Sequence, residues 1–538
     1  MATSSKSIEE NWHLSNVLAH DALPNRQDDS ESIIFDSKST AETGTNFYDS
    51  SLTSRRYALV GVGCSTIVSC TSIAIGAIIV AKVGASGLAY TPVSTDKQRE
   101  ILALVLNLIV TLCTESIGFV HGISLRSALA SESRLRFNTN LRLMTAARGW
   151  NNPNSVLLNC IMAVLLILSY SSSSLVVLQY VFYADQAGTT TSSSPLVFDS
   201  TSITIGTAGL PLLVLGITLL LQIVIALAGM RAAKILTWSS SPFNLTAALV
   251  HHTQLTPVPL QCMRGASDLD VGEGPTKPSQ TQPSAWHAHP SVRKVIISLW
   301  VIVVIYVGSV ALATYRSSFT WTFLPSAGSD YLSYTIRVSG GLGWVLAFAS
   351  LASLQGWMTL GLHFAELIAN VIRDERQWRR ATGRKGLNTA TNSFKLAFTD
   401  AFSLVLLVLK SALHWMFGLS FTVIGSNSGI KIFMFPAQFW NLCIALFIFI
   451  CFVTLVALRR PRGPQPTTYG HLQTLANLVD EWSPVMWWGH KEDGIPYCHA
   501  GTSDHPLPDV KMDCVYCWPQ RQVPSMSRDV LAFVKGVY

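Results

Sequence analysis

Residues 101–125 read ILALVLNLIVTLCTESIGFVHGISL, a run of 25 residues in which Glu115 and His121 are the only acidic or basic side chains. A helix needs about 20 apolar residues to cross the roughly 30 Å hydrocarbon core of a bilayer. Within hydrocarbon, only helices and closed barrels satisfy their own backbone hydrogen bonds, and the run lacks the alternating pattern of a barrel strand. The segment therefore predicts a transmembrane helix.

Seven similar runs precede or follow this one. The whole chain is 49% hydrophobic and only 13% charged, whereas about 25% of the residues in soluble domains are charged. We therefore predict an all-α, polytopic membrane helix bundle with about eight transmembrane helices. The other seven runs are residues 57–81, 155–182, 202–230, 295–315, 338–367, 401–424 and 433–458.

The distribution of Lys and Arg predicts that both termini are cytoplasmic. In that orientation the inner flanks and loops hold 23 basic residues and the opposite side holds six, in agreement with the positive-inside rule. The formal charge of +7 is then explained by topology, since no basic domain with interleaved aromatic residues is present. We expect the lipid bilayer as a partner and no nucleic acid.

The segments between the runs complete the predicted organisation. Residues 1–56 hold nine acidic and five basic residues with few apolar ones, which indicates a disordered acidic tail. Helices one to four occupy 57–230 and helices five to eight occupy 295–458. Between them, 231–294 is rich in Pro, Gly, Ser and Gln and is interpreted as a cytoplasmic linker. Residues 459–538 form a cytoplasmic C-terminal tail.

Two local patterns lie in these cytoplasmic segments. Residues 469–482 place Leu472, Leu475 and Leu478 at helical spacing, which predicts an amphipathic helix. That helix could lie along the inner membrane interface or pack on the protein's own loops. The sequon at Asn244 falls in the cytoplasmic linker, where no glycan would be added, so glycosylation there would invert the predicted topology.

Ionisable side chains within the predicted spans are the main functional candidates, because a charge in hydrocarbon is costly unless it has a partner or water. If helices six and seven are neighbours, Glu366 could pair with Lys410, and the histidines could extend a proton relay. The alternatives are that these groups hold the bundle together or lie near the headgroups. The six candidates are Glu115 and His121 in the second helix, His363 and Glu366 in the sixth, and Lys410 and His414 in the seventh.

Signatures of enzymes and of cofactor sites are missing from the sequence. It contains no phosphate-binding loop, dinucleotide motif, nucleophile elbow or His-Glu-x-x-His. Cys498, His499, Cys514 and Cys517 could hold zinc in principle, but their spacing fits no strong finger pattern, and adjacent Cys498 and His499 are an awkward pair of ligands. We expect no metal and no cofactor, and an intramembrane enzyme is the least favoured hypothesis because no pair of nucleophile and base stands out.

Four segments are distinctive in composition: 115–126 (ESIGFVHGISLR), 360–366 (LGLHFAE), 373–379 (RDERQWR) and 469–475 (YGHLQTL). They resemble segments of uncharacterised multi-pass membrane proteins of filamentous fungi. The resemblance implies a fungal membrane protein and carries over no substrate, catalytic residue or cofactor.

Two functional hypotheses remain open at this point. The first is a small-molecule or proton-coupled carrier that uses the six intramembrane candidates around a polar cavity. The second is a non-transporting scaffold whose tails and Arg-rich loops recruit cytosolic partners or lipids. Helices two and six each carry His and Glu and precede an Arg-rich loop, which is weak support for a parallel repeat of four plus four helices.

Overall fold

A computed structural model describes residues 48–84, 88–92, 96–181, 203–268, 274–315, 318–325, 329–338, 340–389, 400–426 and 429–517. The chain divides into two units, Met1–Asp49 and Ser50–Tyr538, and all helices and strands described belong to the second. Most of the predicted acidic tail, and residues 518–538 of the C-terminal tail, lie outside the described residues.

The helices confirm the predicted bundle. Eight of them, all except the short α5, α6 and α11, are long and apolar enough to cross a membrane. In chain order the helices are α1 (Leu52–Val83), α2 (Asp96–Ser131), α3 (Val156–Val176), α4 (Gly209–Ala232), α5 (Pro242–His251), α6 (Ala285–Ala288), α7 (Pro290–Thr314), α8 (Gly340–Trp378), α9 (Ala401–Ser420), α10 (Pro436–Leu458) and α11 (Leu472–Leu478).

Large apolar side chains on the outer faces of these helices have no protein cover. Ile67 on α1, Val304 on α7 and Leu455 on α10 are 67%, 68% and 69% exposed. Apolar surface of this extent on a soluble protein would mark an interaction site, whereas lipid tails cover it without cost. The protein is therefore an integral, multi-pass membrane protein.

Short strands cap the bundle, and the sequence did not predict them. One strand covers the first residues of the expected fourth span, and another covers the last residues of the expected seventh. The strands are β1 (Leu88–Pro92), β2 (Val177–Val181), β3 (Ile203–Ala208), β4 (Leu332–Ile336), β5 (Leu387–Asn388), β6 (Phe421–Ser426), β7 (Gly429–Met434), β8 (Val485–Glu492) and β9 (His499–Ser503).

The strand pairing reveals two similar halves. In the first half α1, α2, α3 and α4 are joined at one end of the bundle by a sheet of order β1-β3-β2; in the second half α7, α8, α9 and α10 are joined by a sheet of order β4-β7-β6. All pairs are antiparallel, and in both halves the last strand is central. Each half also has its own hydrophobic cluster. The topology therefore supports the parallel four-plus-four repeat.

The two halves meet through four helices. Helix α2 packs against α9, and α3 packs against α8. Because α2 corresponds to α8 and α3 to α9 in the repeat, these two contacts are equivalent, as a pseudo-two-fold axis along the membrane normal requires. The predicted polar residues all lie on α2, α8 and α9, so this interface is where they can meet.

Helices α1 and α4 show how the first half is held together. Small buried residues, including Ser69, Ser72 and Gly76, line the face of α1, and Ser69 Oγ donates a hydrogen bond of 2.7 Å to the carbonyl of Gly216 on α4. A Cβ added to Gly216 would lie 2.7 Å from the Ser69 carbonyl oxygen. The hydrophobic effect does not drive helices together in lipid, so van der Waals contact at close backbone approach stabilises the pair of α1 and α4 instead.

We expect Gly216→Leu to lower the unfolding temperature in detergent, at a cost of roughly 1–3 kcal/mol, because the backbones of α1 and α4 must separate. Gly308→Leu on α7 is the matched control, since nothing lies within 4 Å of a Cβ added there. Thermal unfolding followed by size-exclusion chromatography compares the two variants. Equal unfolding temperatures for both would contradict the close packing of α1 on α4.

The opposite end of the bundle carries a folded basal region, made of the described residues within 132–155, 233–289, 379–389 and 459–517. Its core is a cluster that includes Phe243, Trp378 and Trp488, with the third sheet, of order β5-β8-β9, beside it. The segment 231–294, interpreted as a linker, thus contains packed helices. Helix α11 covers only seven residues of the predicted amphipathic helix and packs on α5, which favours packing on the protein's own loops.

Asn244 is buried in this region. Its Nδ2 atom, to which a glycan would be attached, donates hydrogen bonds of 3.0 Å to Ser239 Oγ and 3.1 Å to the Thr389 carbonyl. A glycan at Asn244 is therefore incompatible with this fold.

Candidate functional site

The centre of the site is Lys410, the tenth of the twenty residues of α9. At a rise of 1.5 Å per residue it lies about 15 Å from either end of the helix, near the middle of a bilayer. Its Nζ atom donates to Glu115 Oε1 on α2 at 2.7 Å and also to Glu366 Oε1 on α8. One ammonium group thus joins a carboxylate from each half of the repeat.

His363 completes this group. Its Nδ1 atom lies 2.9 Å from Glu366 Oε1 and 3.9 Å from Glu115 Oε1. Glu115, His363 and Glu366 have ligand atoms close enough to hold a cation, and the ammonium group of Lys410 lies against both carboxylates. We call Glu115, His363, Glu366 and Lys410 the intramembrane cluster.

Exposure differs sharply within the intramembrane cluster. The side chains of Lys410 and His363 are 1% and 2% exposed, whereas those of Glu115 and Glu366 are 31% and 23% exposed. A carboxylate facing lipid tails would be very costly. The exposed carboxylate surface therefore favours a space that water can enter.

Arg142 approaches the cluster from the basal side. It belongs to the loop between α2 and α3, and its guanidinium lies so close to Gly118 of α2 that an added Cβ would overlap Nη1. Burial lowers the pKa of the Arg142 guanidinium, while the negative charge of Glu115 acts in the opposite direction. Gly118 thus provides the gap through which a second cation approaches Glu115 without forming a direct ion pair with it.

A chain of buried hydroxyl groups extends from the cluster toward the strand end. Ser411, one residue after Lys410, donates to Thr111 Oγ1 at 3.1 Å. The Tyr170 hydroxyl lies 3.3 Å from Thr111 Oγ1 and 3.0 Å from Thr114 Oγ1. These hydroxyl groups join α2, α3 and α9, and they can act as both donors and acceptors.

His414 continues this polar chain. Its ring stacks on Tyr170 with centroids 3.7 Å apart, and its Nδ1 atom lies 3.1 Å from Gln355 Nε2. The same Gln355 amide donates to Ser174 Oγ at 3.0 Å. His414 therefore lies beside the polar chain, in contact with Gln355 and Tyr170, neither of which was among the sequence candidates.

A small cleft opens where this chain reaches the strand end. Asn107, Ser173, Ser174 and Trp415 are among the residues that line it, and its volume is about 30 Å³. This is room for one or two water molecules, not for the 300–1,000 Å³ that bound small molecules usually occupy. Arg99 and Glu100 lie at the same cleft, and Glu100 accepts a hydrogen bond of 3.2 Å from Trp415 Nε1.

His121 is the one intramembrane candidate that the structure places apart from the others. It is buried, and neither ring nitrogen has a hydrogen-bond partner among the residues described. The δ carbon of Arg142 packs near the adjacent Gly122. His121 lies apart from Glu115 because residues six apart on a helix do not share a face.

The metal candidates are also divided. Cys498 and His499 are adjacent in chain order, so a strand directs their side chains to opposite faces. His499 Nε2 lies 2.9 Å from Asp480 Oδ2, away from Cys498. Cys514 precedes Val515, whose carbonyl accepts the backbone N–H of Cys498 at 2.9 Å, and Cys517 donates its backbone N–H to the Cys498 carbonyl at 3.0 Å.

Sequence reasoning missed a polar junction between α8 and the basal region. Glu375, in the Arg-rich segment interpreted as a topology signal, accepts the backbone N–H groups of Thr468 and Tyr469 at 2.9 and 3.0 Å. Asp374 is fully buried and accepts from Asn138 Nδ2 at 2.8 Å. The acidic residues embedded among arginines at 373–376 were the available signal.

Comparison with known proteins adds nothing to this geometry: no family model, curated protein or solved structure matches the chain.

Gly470 tests the junction between α8 and the basal region. Its φ is +74°, and an added Cβ would lie 2.7 Å from Asp374 Oδ2. We expect Gly470→Ala to destabilise the protein by roughly 2–4 kcal/mol, the sum of backbone strain and overpacking, as measured by thermal unfolding in detergent.

Gly463→Ala is the control for this substitution, because Gly463 also has a positive φ, of +101°, but has nothing within 4 Å of the added Cβ. It should show the backbone strain alone. If the two variants unfold at the same temperature, Asp374 does not pack against Gly470 as described.

Proposed function

We propose that this protein is a proton-coupled carrier and that Glu115, Glu366 and Lys410 form its proton-binding site. The observation that carries the proposal is the sharing of one mid-membrane ammonium group by two carboxylates from opposite halves. One ammonium neutralises one carboxylate, so the second can be neutralised by a proton. Binding and release of that proton then change the charge of the site by one unit.

The position of the site at the interface of the repeats supports a transport role. In carriers built from repeats, coupling-ion sites lie near the bilayer midplane between the repeats, and alternating access is a rocking of one repeat against the other. Glu115 belongs to the first half, while Glu366 and Lys410 belong to the second. Rocking would therefore change the distance from Lys410 to Glu115 more than that to Glu366.

Arg142 offers Glu115 a second partner. When the halves separate, the carboxylate of Glu115 can form an ion pair with Arg142, which belongs to the same half. Glu366 then keeps Lys410, so each carboxylate has its own cation and a bound proton is released, whereas in the closed arrangement the two carboxylates share one ammonium group and a proton is favoured. This exchange of partners couples proton binding to the relative position of the halves, because the proton then binds one conformation more tightly than the other.

The size of the cleft limits which molecules can enter the described conformation. It is large enough for water, and thus for a hydrogen-bonded proton path through Tyr170 and Ser411, but too small for a substrate molecule. Passage of a small molecule needs the halves to move apart.

The experiment is proton uptake by proteoliposomes that contain a pH-sensitive dye and carry a membrane potential set with potassium and valinomycin. We expect uptake with the unaltered protein. Glu366→Gln should reduce it to the level of protein-free liposomes, because the amide keeps the volume and can still accept from Lys410 but binds no proton.

Glu481→Gln is the matched control, since Glu481 is a half-exposed carboxylate of the basal region that lies outside the proposed path. It should leave uptake unchanged. Equal uptake by Glu366→Gln and the unaltered protein, at equal reconstituted amounts, would refute the proposed site.

The scaffold hypothesis is harder to test than the sequence suggested. A scaffold that recruits partners through its tails should lose its function when the C-terminal segment is deleted. Because residues 465–472 provide hydrogen-bond partners for α8 and for the loop after α2, the deletion would disturb either function. Point substitutions within the intramembrane cluster separate the two hypotheses instead.

A further inference from the structure

We propose that His490, Cys498 and Cys514, together with Asp493, bind a zinc ion in the basal region. The proposal is independent of the carrier function, because it concerns the hairpin of β8 and β9 and the chain that packs on it. These four residues come from three separate positions along the C-terminal segment. The sequence candidate set had Cys498 and Cys514 in common with this group, but it contained His499 and Cys517 in place of His490 and Asp493.

Three of the four donor atoms lie at or slightly below the spacing that zinc requires, so small side-chain movements complete it. Zinc bonds of 2.0–2.3 Å imply ~3.3 to 3.8 Å between ligand atoms at the corners of a tetrahedron. His490 Nε2 lies 3.1 Å from Asp493 Oδ1, and Cys498 Sγ lies 3.7 Å from the same oxygen. All three donor atoms lie within 4.8 Å of one another. Cys514 directly precedes Val515, whose carbonyl accepts the backbone N–H of Cys498 at 2.9 Å, so its thiol is within reach of the other three.

The ring of His490 is oriented for coordination. Its Nδ1 atom lies 2.9 Å from the Tyr516 hydroxyl, which leaves Nε2 directed at Asp493 and Cys498. The Tyr516 oxygen also accepts the backbone N–H of Lys511 at 2.9 Å. A metal-bound histidine usually donates its other N–H to a fixed oxygen in this way, and the contact sets the tautomer and the ring orientation.

The donor set selects zinc among common cations. Two thiolates and an imidazole are soft or intermediate ligands, which suit zinc and disfavour Mg²⁺ or Ca²⁺. Binding releases the two thiol protons of Cys498 and Cys514 to solvent. Lys511, whose Nζ lies 2.6 Å from both Asp493 oxygens, holds the carboxylate without metal and would be displaced when zinc binds.

The zinc ion would join the end of the described chain to the hairpin. Cys514 precedes a segment that already pairs with its surroundings: Cys498 donates its N–H to the Val515 carbonyl at 2.9 Å, and Tyr516 exchanges two backbone hydrogen bonds with Thr276. A metal bond from Cys514 to the hairpin would close this segment over the basal core. Binding energy of a structural zinc is folding energy for the residues it joins.

The test uses the full-length protein, purified in detergent under reducing conditions with zinc present. We expect about one zinc ion per chain, measured by mass spectrometry of metals. Replacement by Co²⁺ should produce thiolate-to-cobalt charge-transfer absorption and the intense visible bands of a tetrahedral site. Chelation should lower the unfolding temperature, and added zinc should restore it.

Three variants are expected to lose the bound metal and the cobalt spectrum: Cys498→Ser, Cys514→Ser and His490→Gln. Cys517→Ser is the matched control, because it removes the other thiol of the C-x-x-C pair and should retain both. Far-ultraviolet circular dichroism and size-exclusion chromatography identify any variant that fails to fold, and the titration of the unaltered protein does not depend on the variants.

Three results would overturn the proposal. The unaltered protein could bind no zinc, or Cys498 and Cys514 could be joined as a disulfide under the reducing conditions used, detected as failure to alkylate. Equal loss of metal from Cys517→Ser and Cys514→Ser would show that the ligands are a different set.

Discussion

The pairing of Lys410 with two carboxylates in the middle of the membrane is the constraint on which the rest of the structure depends. An isolated ammonium group at this depth would be very costly, so α9 can span only where a partner supplies negative charge. Glu115 comes from α2 and Glu366 from α8. The two halves must therefore meet along these helices, with these three residues at the same depth.

Each half is well packed internally, and hydrogen bonds and ion pairs connect the two halves. Within the first half, α1 and α4 approach through small residues such as Ser69 and Gly216, and each half has its own apolar cluster. Between the halves, hydrogen bonds and ion pairs of hydroxyl, amide and charged groups stand beside apolar contacts, such as those of Leu175 with the second cluster and of Phe364 with the first. A hydrogen bond exchanges partners with less steric cost than interdigitated apolar side chains, so the polar contacts favour motion at this interface over motion within a half.

Part of this was predictable from the sequence. Hydrophobic run length gave the eight spans, because lipid imposes a strict length on each helix, and helical spacing placed His363 beside Glu366. The contact of Glu115 with Lys410 could not be predicted, because local spacing does not say which faces of distant helices meet. The insertion of Arg142 depends on a loop conformation and on the lack of a side chain at Gly118.

The strands and the basal region were missed for a related reason. Strand β7 continues the apolar run of α10 and looks like part of the same span, so only its pairing with β4 and β6 distinguishes it. The segment 231–294 was interpreted as a linker and 459–517 as part of a tail, yet both fold because each buries the other. His490 approaches Cys498 across a hairpin whose register the sequence alone did not reveal.

Infrared difference spectroscopy of the reconstituted full-length protein, between acidic and alkaline buffer, reports whether the intramembrane cluster binds a proton. We expect a protonated-carboxyl band that shifts in D₂O and disappears in Glu366→Gln or Glu115→Gln, while Glu481→Gln leaves it in place. A shift in D₂O would show that the carboxyl exchanges its proton with water. If neither substitution removes any carboxyl band, both carboxylates stay ionised at every pH, and the intramembrane cluster is a fixed ion pair that binds no proton.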